Sequence, residues 1–160
     1  AEGAASVTPE DGIGQADVDA AVADLEANYE GYTAPLDLQI GDLHAGGIVF
    51  QINENGSGLL AALEDLPGVY EWSEALSEAS NYSSEGYTGW HLPSSEELEL
   101  MYNTIGQGSP EGNIGGFEDD WYWSSSEYNN NLAWSVHFYY GYTYANGNDG
   151  TYRVRVIRAF

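Results

Sequence analysis

The chain has 160 residues, 42% of them hydrophobic, which is enough for one globular domain with its own core and a short additional segment. Its 26 acidic residues outnumber three arginines, and the formal net charge of −23 argues against nucleic acids and anionic membranes as partners. The absence of cysteine excludes disulfides, thiol nucleophiles and cysteine-based metal sites, and no apolar run is long enough to cross a membrane.

Residues 1–39 are predicted to be a linker and a helix that precede the main domain. Small and polar residues fill 1–15, and residues 16–30 carry one apolar stripe of helical spacing. The stripe consists of Val18, Val22, Leu25 and Tyr29. A lone helix of this length is marginal in water. It is therefore expected either to pack on the domain or to join two or three copies as a homo-oligomeric coiled coil.

The main domain is predicted to cover residues 40–160 and to begin with a β-hairpin. Residues 47–52 are rich in β-branched and aromatic side chains, which is typical of a strand. The sequence NENG at 53–56 is typical of a turn, and a second apolar run follows at 59–63. This second run is the expected hairpin partner of the first.

Two helices are predicted next. The first covers 72–82 and is expected to bury Trp72, Leu76 and Ala79 on one face, with Ala75 as a further candidate. The second covers 94–103 and begins with the capping-box pattern of Ser94 and Glu97. Its buried stripe is predicted to contain Leu98, Met101, Tyr102 and Ile105.

The C-terminal part is predicted to return to β-structure. Residues 106–120 are glycine-rich and irregular, and short strand-like runs follow at 121–125, 133–140 and 152–157. The order of strands, two helices and strands predicts an α+β fold with the helices packed on antiparallel sheets.

The last predicted strand contains the basic residues of the chain. Alternation places Val154 and Val156 on one face and Arg153 and Arg155 on the other. Together with Arg158 these are the only bases, so each arginine is expected to find a carboxylate and to fasten the strand to the body of the domain.

The chain shows no convincing catalytic or metal-binding set of residues. His44, His91 and His137 are far apart in sequence, and no phosphate loop, dinucleotide fingerprint or nucleophile elbow is present. The segment NGNDG at 146–150 lacks the spaced ligands and terminal Glu of an EF-hand loop, so it is interpreted as a turn. We therefore predict no catalytic residue, no metal site and no cofactor.

The composition changes sharply between Tyr128 and Tyr152. This segment contains no Glu, Gln, Lys or Met, and Trp134 is its only tryptophan, whereas residues 1–127 contain 16 Glu and 4 Gln. The charge changes as well, from −25 in 1–127 to +2 in 128–160. Tyrosine mixed with Ser, Gly and Asn is typical of antibody-like binding surfaces. A tyrosine-rich sheet with Asn/Gly turns explains the residue types equally well.

Fixed residues around this segment resemble the variable region of proteins that are diversified by retroelements. The resemblance rests on YWSSSE at 122–127, AW at 133–134, Phe138, Gly141 and the closing RVRVIRAF at 153–160. It implies that positions between these anchors are templated by Asn codons and mutated at adenines. Such codons cannot encode Glu, Gln, Lys, Met or Trp, which are the residue types missing between the anchors.

The body of the domain resembles a family of bacterial surface domains with a C-type-lectin-like fold, which the formylglycine-generating enzymes share. The matching segments are IGD at 40–42, GGIVF at 46–50, GLLAA at 58–62, GWHLP at 89–93 and EEL at 96–98. The enzymatic activity requires active-site cysteines that this chain lacks. The EPN, QPD and WND motifs of calcium-dependent sugar binding are also absent.

The resemblance implies a variable region at about 122–160 in which a fixed frame carries exposed contact residues. The frame is expected to include Trp90, Trp123, Trp134, Phe138, Val154 and Val156. Alternation along 133–140 places Ser135, His137 and Tyr139 on the outward face. The expected ligand-binding residues are Asn129, Asn130, Asn131, Leu132, Ser135, His137, Tyr139, Tyr140, Tyr142, Tyr144, Asn146, Asn148 and Asp149.

The leading hypothesis is a non-enzymatic receptor-binding protein, diversified by adenine mutagenesis and displayed on a virus tail or a cell surface. Its partner would be a protein or glycan receptor on a host or neighbouring cell. The alternative is a fixed surface adhesin or structural domain of the same fold without diversification. A third hypothesis is an enzyme that uses the acidic body, which would require a polar cleft containing a carboxyl group of perturbed pKa.

Overall fold

The computed structural model describes residues 37–160. The helix predicted at 16–30, and the homo-oligomer that it would form, lie outside the described residues. Neither helix within 37–160 has the length and apolar character needed to span a membrane.

The first sheet has four antiparallel strands in the order β1-β2-β3-β7. Its strands are β1 (Leu43–His44), β2 (Gly47–Ile52), β3 (Gly58–Ala62) and β7 (Ile157–Ala159). Strands β2 and β3 form the predicted hairpin, in which Ile52 is paired with Gly58. Gly58 is required there because a Cβ would lie 2.0 Å from the Gln51 carbonyl oxygen.

Both predicted helices are present, as α1 (Trp72–Asn81) and α2 (Ser95–Thr104). The capping box is confirmed: the Ser94 hydroxyl accepts from the Glu97 amide at 3.1 Å, and the Glu97 carboxylate accepts from the Ser94 amide at 2.7 Å. The stripe of α2 buries Leu98 and Met101 fully, and the helix lies against both sheets.

The second sheet has three antiparallel strands in the order β4-β5-β6. They are β4 (Trp121–Asn129), β5 (Leu132–His137) and β6 (Tyr142–Gly147). Strand β6 was not predicted, and its last residues belong to the segment interpreted as a turn. The turn begins only at Asn148, because pairing with β5 continues to the pair Leu132–Gly147.

The C-terminal strand prediction at 152–157 is wrong in position. Tyr152 and Arg153 form only isolated bridges, and the strand itself is β7. Val154, Arg155 and Val156 are all buried, yet the predicted alternation is kept: the two valines pack in the cluster of Trp90 and Trp123, whereas Arg153 and Arg155 both lie beside Asp65. Both edges of this segment are hydrogen-bonded, to β4 on one side and to the chain around Ala62–Leu66 on the other. Both of its faces are covered as well, since Trp90 and Trp123 pack with the valines while Asp65, Gly115 and Phe117 surround Arg155.

The core consists of two apolar clusters. One lies between α2 and the two sheets and contains Phe50, Leu98, Tyr122 and Phe138. The other lies around α1 and contains Trp90 and Trp123. The α+β class with two helices and antiparallel sheets is confirmed, and the architecture is consistent with a small C-type-lectin-like domain.

Candidate ligand-binding surface

One face of the second sheet points away from α2 and carries rows of side chains that cross the strands. The register pairs Trp121 with His137 and His137 with Tyr142, so these three rings lie side by side. A parallel row joins Trp123, Ser135 and Tyr144. On the edge strand β6 the side chains of Tyr142 and Tyr144 are 65% and 63% exposed.

The turn between β5 and β6 adds two further exposed rings, Tyr139 and Tyr140. The Tyr139 and Tyr140 rings meet nearly at right angles at 4.7 Å, and the Tyr140 ring stacks on Tyr142 at 5.5 Å. The turn requires Gly141, which has φ +71° and whose Cβ would lie 2.5 Å from the Tyr102 ring. We call Trp121, His137, Tyr139, Tyr140, Tyr142 and Tyr144 together the tyrosine surface.

Open depressions cover this part of the molecule. One of about 620 Å³ is lined by Trp121, Tyr142 and Tyr144, together with Asn146. A second, of about 490 Å³, lies between Asp119, His137, Tyr139 and Tyr140. A third, of about 300 Å³, is lined by Tyr128, Leu132, Trp134, Tyr144 and Ala145. Tyr144 lines both the first and the third, so the depressions adjoin along strand β6.

The remaining candidate residues lie at the opposite end of the sheet from the β5–β6 turn. The loop at 129–131 and the turn after β6 are held together there, because the backbone N–H of Asn148 donates to the backbone carbonyl of Asn131 at 2.9 Å. Asn129, Asn130, Asn131 and Asp149 are exposed, whereas Leu132, His137, Asn146 and Asn148 are half-buried. The candidate residues thus extend over the full length of the second sheet, from one end of its strands to the other.

Ser135 is a correction to the predicted contact set. It lies on the predicted face, but its side chain is fully buried. The larger side chains of Trp123 and Tyr144 flank Ser135 on the neighbouring strands. The side-chain amide of Asn146 donates to the Ser135 hydroxyl at 2.6 Å. The alternation of side chains along β5 predicted the correct face for Ser135. It does not show whether larger neighbouring side chains cover a side chain as small as serine.

Trp134 is a correction to the predicted frame. It is only half-buried, packs edge to face against Tyr128 at 5.0 Å and lines the third depression. Tyr128, which is 55% exposed, was not among the predicted contact residues. Its position directly before the three asparagines was the signal that could have indicated it. The other frame residues are buried as expected.

A buried polar network lies beneath the surface and holds the second sheet to the rest of the domain. The Asp65 carboxylate accepts from the Tyr122 hydroxyl at 2.7 Å and from Arg155 Nε at 2.6 Å. Arg155 also donates to the carbonyls of Ala62 and Gly115. Burial raises the pKa of the Tyr122 phenol, and the neighbouring Asp65 charge raises it further.

The expectation that every arginine pairs with a carboxylate holds for two of the three. Arg153 pairs with Asp120 at 3.0 Å and Arg155 with Asp65. For Arg158 it is wrong, because within residues 37–160 this guanidinium has no carboxylate partner. Arg158 lies over the Tyr87 ring at 4.6 Å and donates to the Ala45 carbonyl. An aromatic face and a carbonyl oxygen replace the expected ion pair.

The described part of the chain contains no group of three or more His, Asp or Glu side chains that could hold a metal ion. His44 packs on Phe160, His91 lies beside the Gly89 carbonyl, and His137 belongs to the tyrosine surface. The Glu96 carboxyl has a lowered pKa because the backbone and the Ser95 hydroxyl donate to it at the start of α2. That environment is typical of helix capping rather than of an acid catalyst.

The fold and the site together define a small α+β domain that exposes the tyrosine surface to solvent. Residues 48–158 match the family model described as the Lcl C-terminal domain. The match covers more than half of the chain, so the protein belongs to this family. No curated protein matches the chain.

Proposed function

We propose that the protein is a non-enzymatic receptor-binding domain and that the tyrosine surface makes the contacts. One observation carries the proposal. Of the eleven large apolar or aromatic side chains that are exposed in the described residues, five are tyrosines between 128 and 144. Four of these five belong to the tyrosine surface, and a contiguous group of exposed aromatic side chains is typical of an interaction site.

We further propose that the exposed positions of this ribbon are diversified by adenine mutagenesis and that the domain is displayed on a virion or cell surface. The residue types missing between Tyr128 and Tyr152 support this. So does the placement of most candidate positions at or near the surface of one ribbon, above a core made of fixed anchors such as Tyr122, Trp123 and Phe138. Display in several copies would strengthen weak single contacts through avidity.

The gene itself provides the test of diversification. We expect a near-identical repeat and a reverse-transcriptase gene downstream, with adenines in the repeat at the codons of the candidate residues. Isolates should differ at 128–152 and agree at 122–127 and 153–160. Differences scattered evenly over the chain would instead support the fixed surface adhesin or structural domain.

A variant tests the contact role of the rings. Replacing Tyr139, Tyr140, Tyr142 and Tyr144 together by Ala is expected to abolish attachment to receptor-bearing cells and to shift the melting temperature by only a few degrees. Exposed side chains typically change the free energy of unfolding by less than about 0.5 kcal/mol each. Leu43→Ala, which removes a 73% exposed apolar side chain on another part of the domain, serves as the control. A large loss of stability in the quadruple variant would show that these rings belong to the core.

A further inference from the structure

We infer that the tyrosine surface binds a basic segment of a partner protein and that the depression between Asp119, His137, Tyr139 and Tyr140 receives one arginine side chain. The inference rests on the proposed function, since it names the chemistry of the partner for the same surface. It is carried by the shape and composition of this depression and by the charge of the domain around it.

The depression has aromatic walls and an acidic rim. The rings of Tyr139 and Tyr140 stand nearly perpendicular at 4.7 Å and are 55% and 58% exposed; one face of Tyr140 is stacked on Tyr142, and both rings retain more than half of their surface for a ligand. The His137 ring adjoins Tyr140 at 5.1 Å. The Asp119 carboxylate lies exposed at the rim, where the Gln107 amide donates to one of its oxygens. Among residues 37–160, no donor is bonded to the other carboxylate oxygen.

This combination suits a guanidinium better than other side chains. An aromatic face attracts a cation through its quadrupole, and the attraction is worth about 0.5–1 kcal/mol at an exposed site. A planar guanidinium can stack on one ring while its N–H groups reach a carboxylate beside it, which an ammonium cannot do in the same geometry. The volume of about 490 Å³ leaves room for the aliphatic stem as well.

The protein itself holds its own arginines in the same way. Arg155 lies over the Phe117 ring at 4.3 Å while it donates to Asp65, and Arg158 lies over the Tyr87 ring at 4.6 Å. Both show that an aromatic face with an oxygen acceptor beside it accommodates a guanidinium in this domain. The depression at Asp119 offers the same two elements with no guanidinium of the described residues between them.

Charge at longer range favours the same class of partner. Residues 37–160 contain eighteen acidic residues and three arginines, and Asp65 and Asp120 already pair with two of these arginines. Glu99, which accepts from Thr143 on β6, and Asp149 place further carboxylates near the ribbon. Such a field accelerates the approach of a basic surface and repels an acidic one. A neutral glycan would gain nothing from it.

The test is an NMR titration of the full chain with three short peptides, Gly-Arg-Gly, Gly-Lys-Gly and Gly-citrulline-Gly, at low salt. Citrulline keeps the shape of arginine and removes its charge. We expect amide shifts confined to residues 119 and 137–144, with the arginine peptide bound about threefold to tenfold more tightly than the citrulline peptide. The lysine peptide should bind with intermediate affinity, and added salt should weaken both charged peptides.

Matched variants make the result specific. Asp119→Asn and Tyr139→Leu are expected to weaken arginine binding about threefold or more, whereas Glu54→Gln, which removes one exposed charge in the β2–β3 turn, should leave it unchanged. Both site residues are exposed, and unchanged melting temperatures would confirm folding. Equal affinity for the citrulline peptide, or equal effects of Asp119→Asn and Glu54→Gln, would overturn the inference.

The outcome remains distinguishable from that of the proposed function. Shifts at the same residues caused by neutral methyl glycosides and not by the arginine peptide would refute a basic partner while retaining the surface as a binding site. The pattern of variation among isolates, and attachment by the quadruple tyrosine variant, test the surface independently of any peptide.

Discussion

Two regions of the second sheet use the same residue type in opposite ways. On the inner face Tyr122 is fully buried, and its hydroxyl is committed to Asp65 and to the Glu118 amide. On the outer face Tyr142 and Tyr144 are more than 60% exposed, and within the described residues their hydroxyls make no hydrogen bond. Tyrosines that stabilise the domain and tyrosines that are free to make contacts thus lie on opposite faces of the same sheet. We therefore expect substitutions of the exposed outer-face tyrosines to leave the fold intact.

The largest effect is expected where the inner network loses its shared carboxylate. Asp65→Ala leaves the Arg155 guanidinium, which is 1% exposed, without its charge partner. Breaking a buried pair in this way typically costs about 3–5 kcal/mol. We expect urea denaturation to show a loss of that order in the free energy of unfolding.

The control for Asp65→Ala is Glu54→Ala, an exposed acid in the β2–β3 turn, which should change stability by less than about 0.5 kcal/mol. Equal effects of the two variants would mean that the inner network contributes no more to stability than an exposed charge does.

A smaller effect is expected where the two regions touch, at Gly141. Gly141→Ala places a Cβ in the left-handed region and 2.5 Å from the Tyr102 ring. The strain and the overpacking together should lower the free energy of unfolding by about 1–3 kcal/mol and displace the turn that carries Tyr139 and Tyr140. Thermal denaturation and cell attachment should therefore both be affected.

Gly56→Ala is the matched control for Gly141→Ala, because it has φ +83° with no atom within 4 Å of the added Cβ. It should cost about 1 kcal/mol and leave attachment intact. If Gly141→Ala changes stability but not attachment, the turn does not position the contact residues.

The smallest effect separates the two kinds of tyrosine by pH. The native Tyr122 phenol has a raised pKa, so it stays protonated when the same phenol in the unfolded chain ionises near its ordinary value of 10.0. Unfolding then releases a proton, and stability must fall as the pH rises above that value. We expect Tyr122→Phe to be less stable at neutral pH but to show a shallower decline between about pH 9 and pH 11.

Phe138→Leu, which removes buried apolar volume but no phenol, should lower stability and leave the slope of this decline unchanged. Parallel slopes for the wild type and Tyr122→Phe would mean that the inner phenol titrates in the folded protein as it does in the unfolded chain.

Local patterns predicted much of the fold. The hairpin of β2 and β3, both helices and the Ser94–Glu97 capping box follow from turn residues, apolar periodicity and cap chemistry, which act over a few neighbouring residues. Strand β6 was missed because only Tyr142, Thr143 and Tyr144 favour a strand, and residues 145–147, Ala-Asn-Gly, are disfavoured in one. Only its pairing with β5 makes it a strand.

The sequence alone determined the α+β class, the acidic body with its nearly neutral C-terminal segment, and the group of residues that should carry binding. The tertiary structure decided which of them reach solvent: it buries Ser135 under larger neighbours and brings Tyr128 and Trp134 to the surface. It also joined Asp65, Tyr122 and Arg155 across three distant segments. Exposure and long-range pairing depend on how the helices and strands pack against one another. The alternation of side chains along one strand contains no information about which other segments cover that strand.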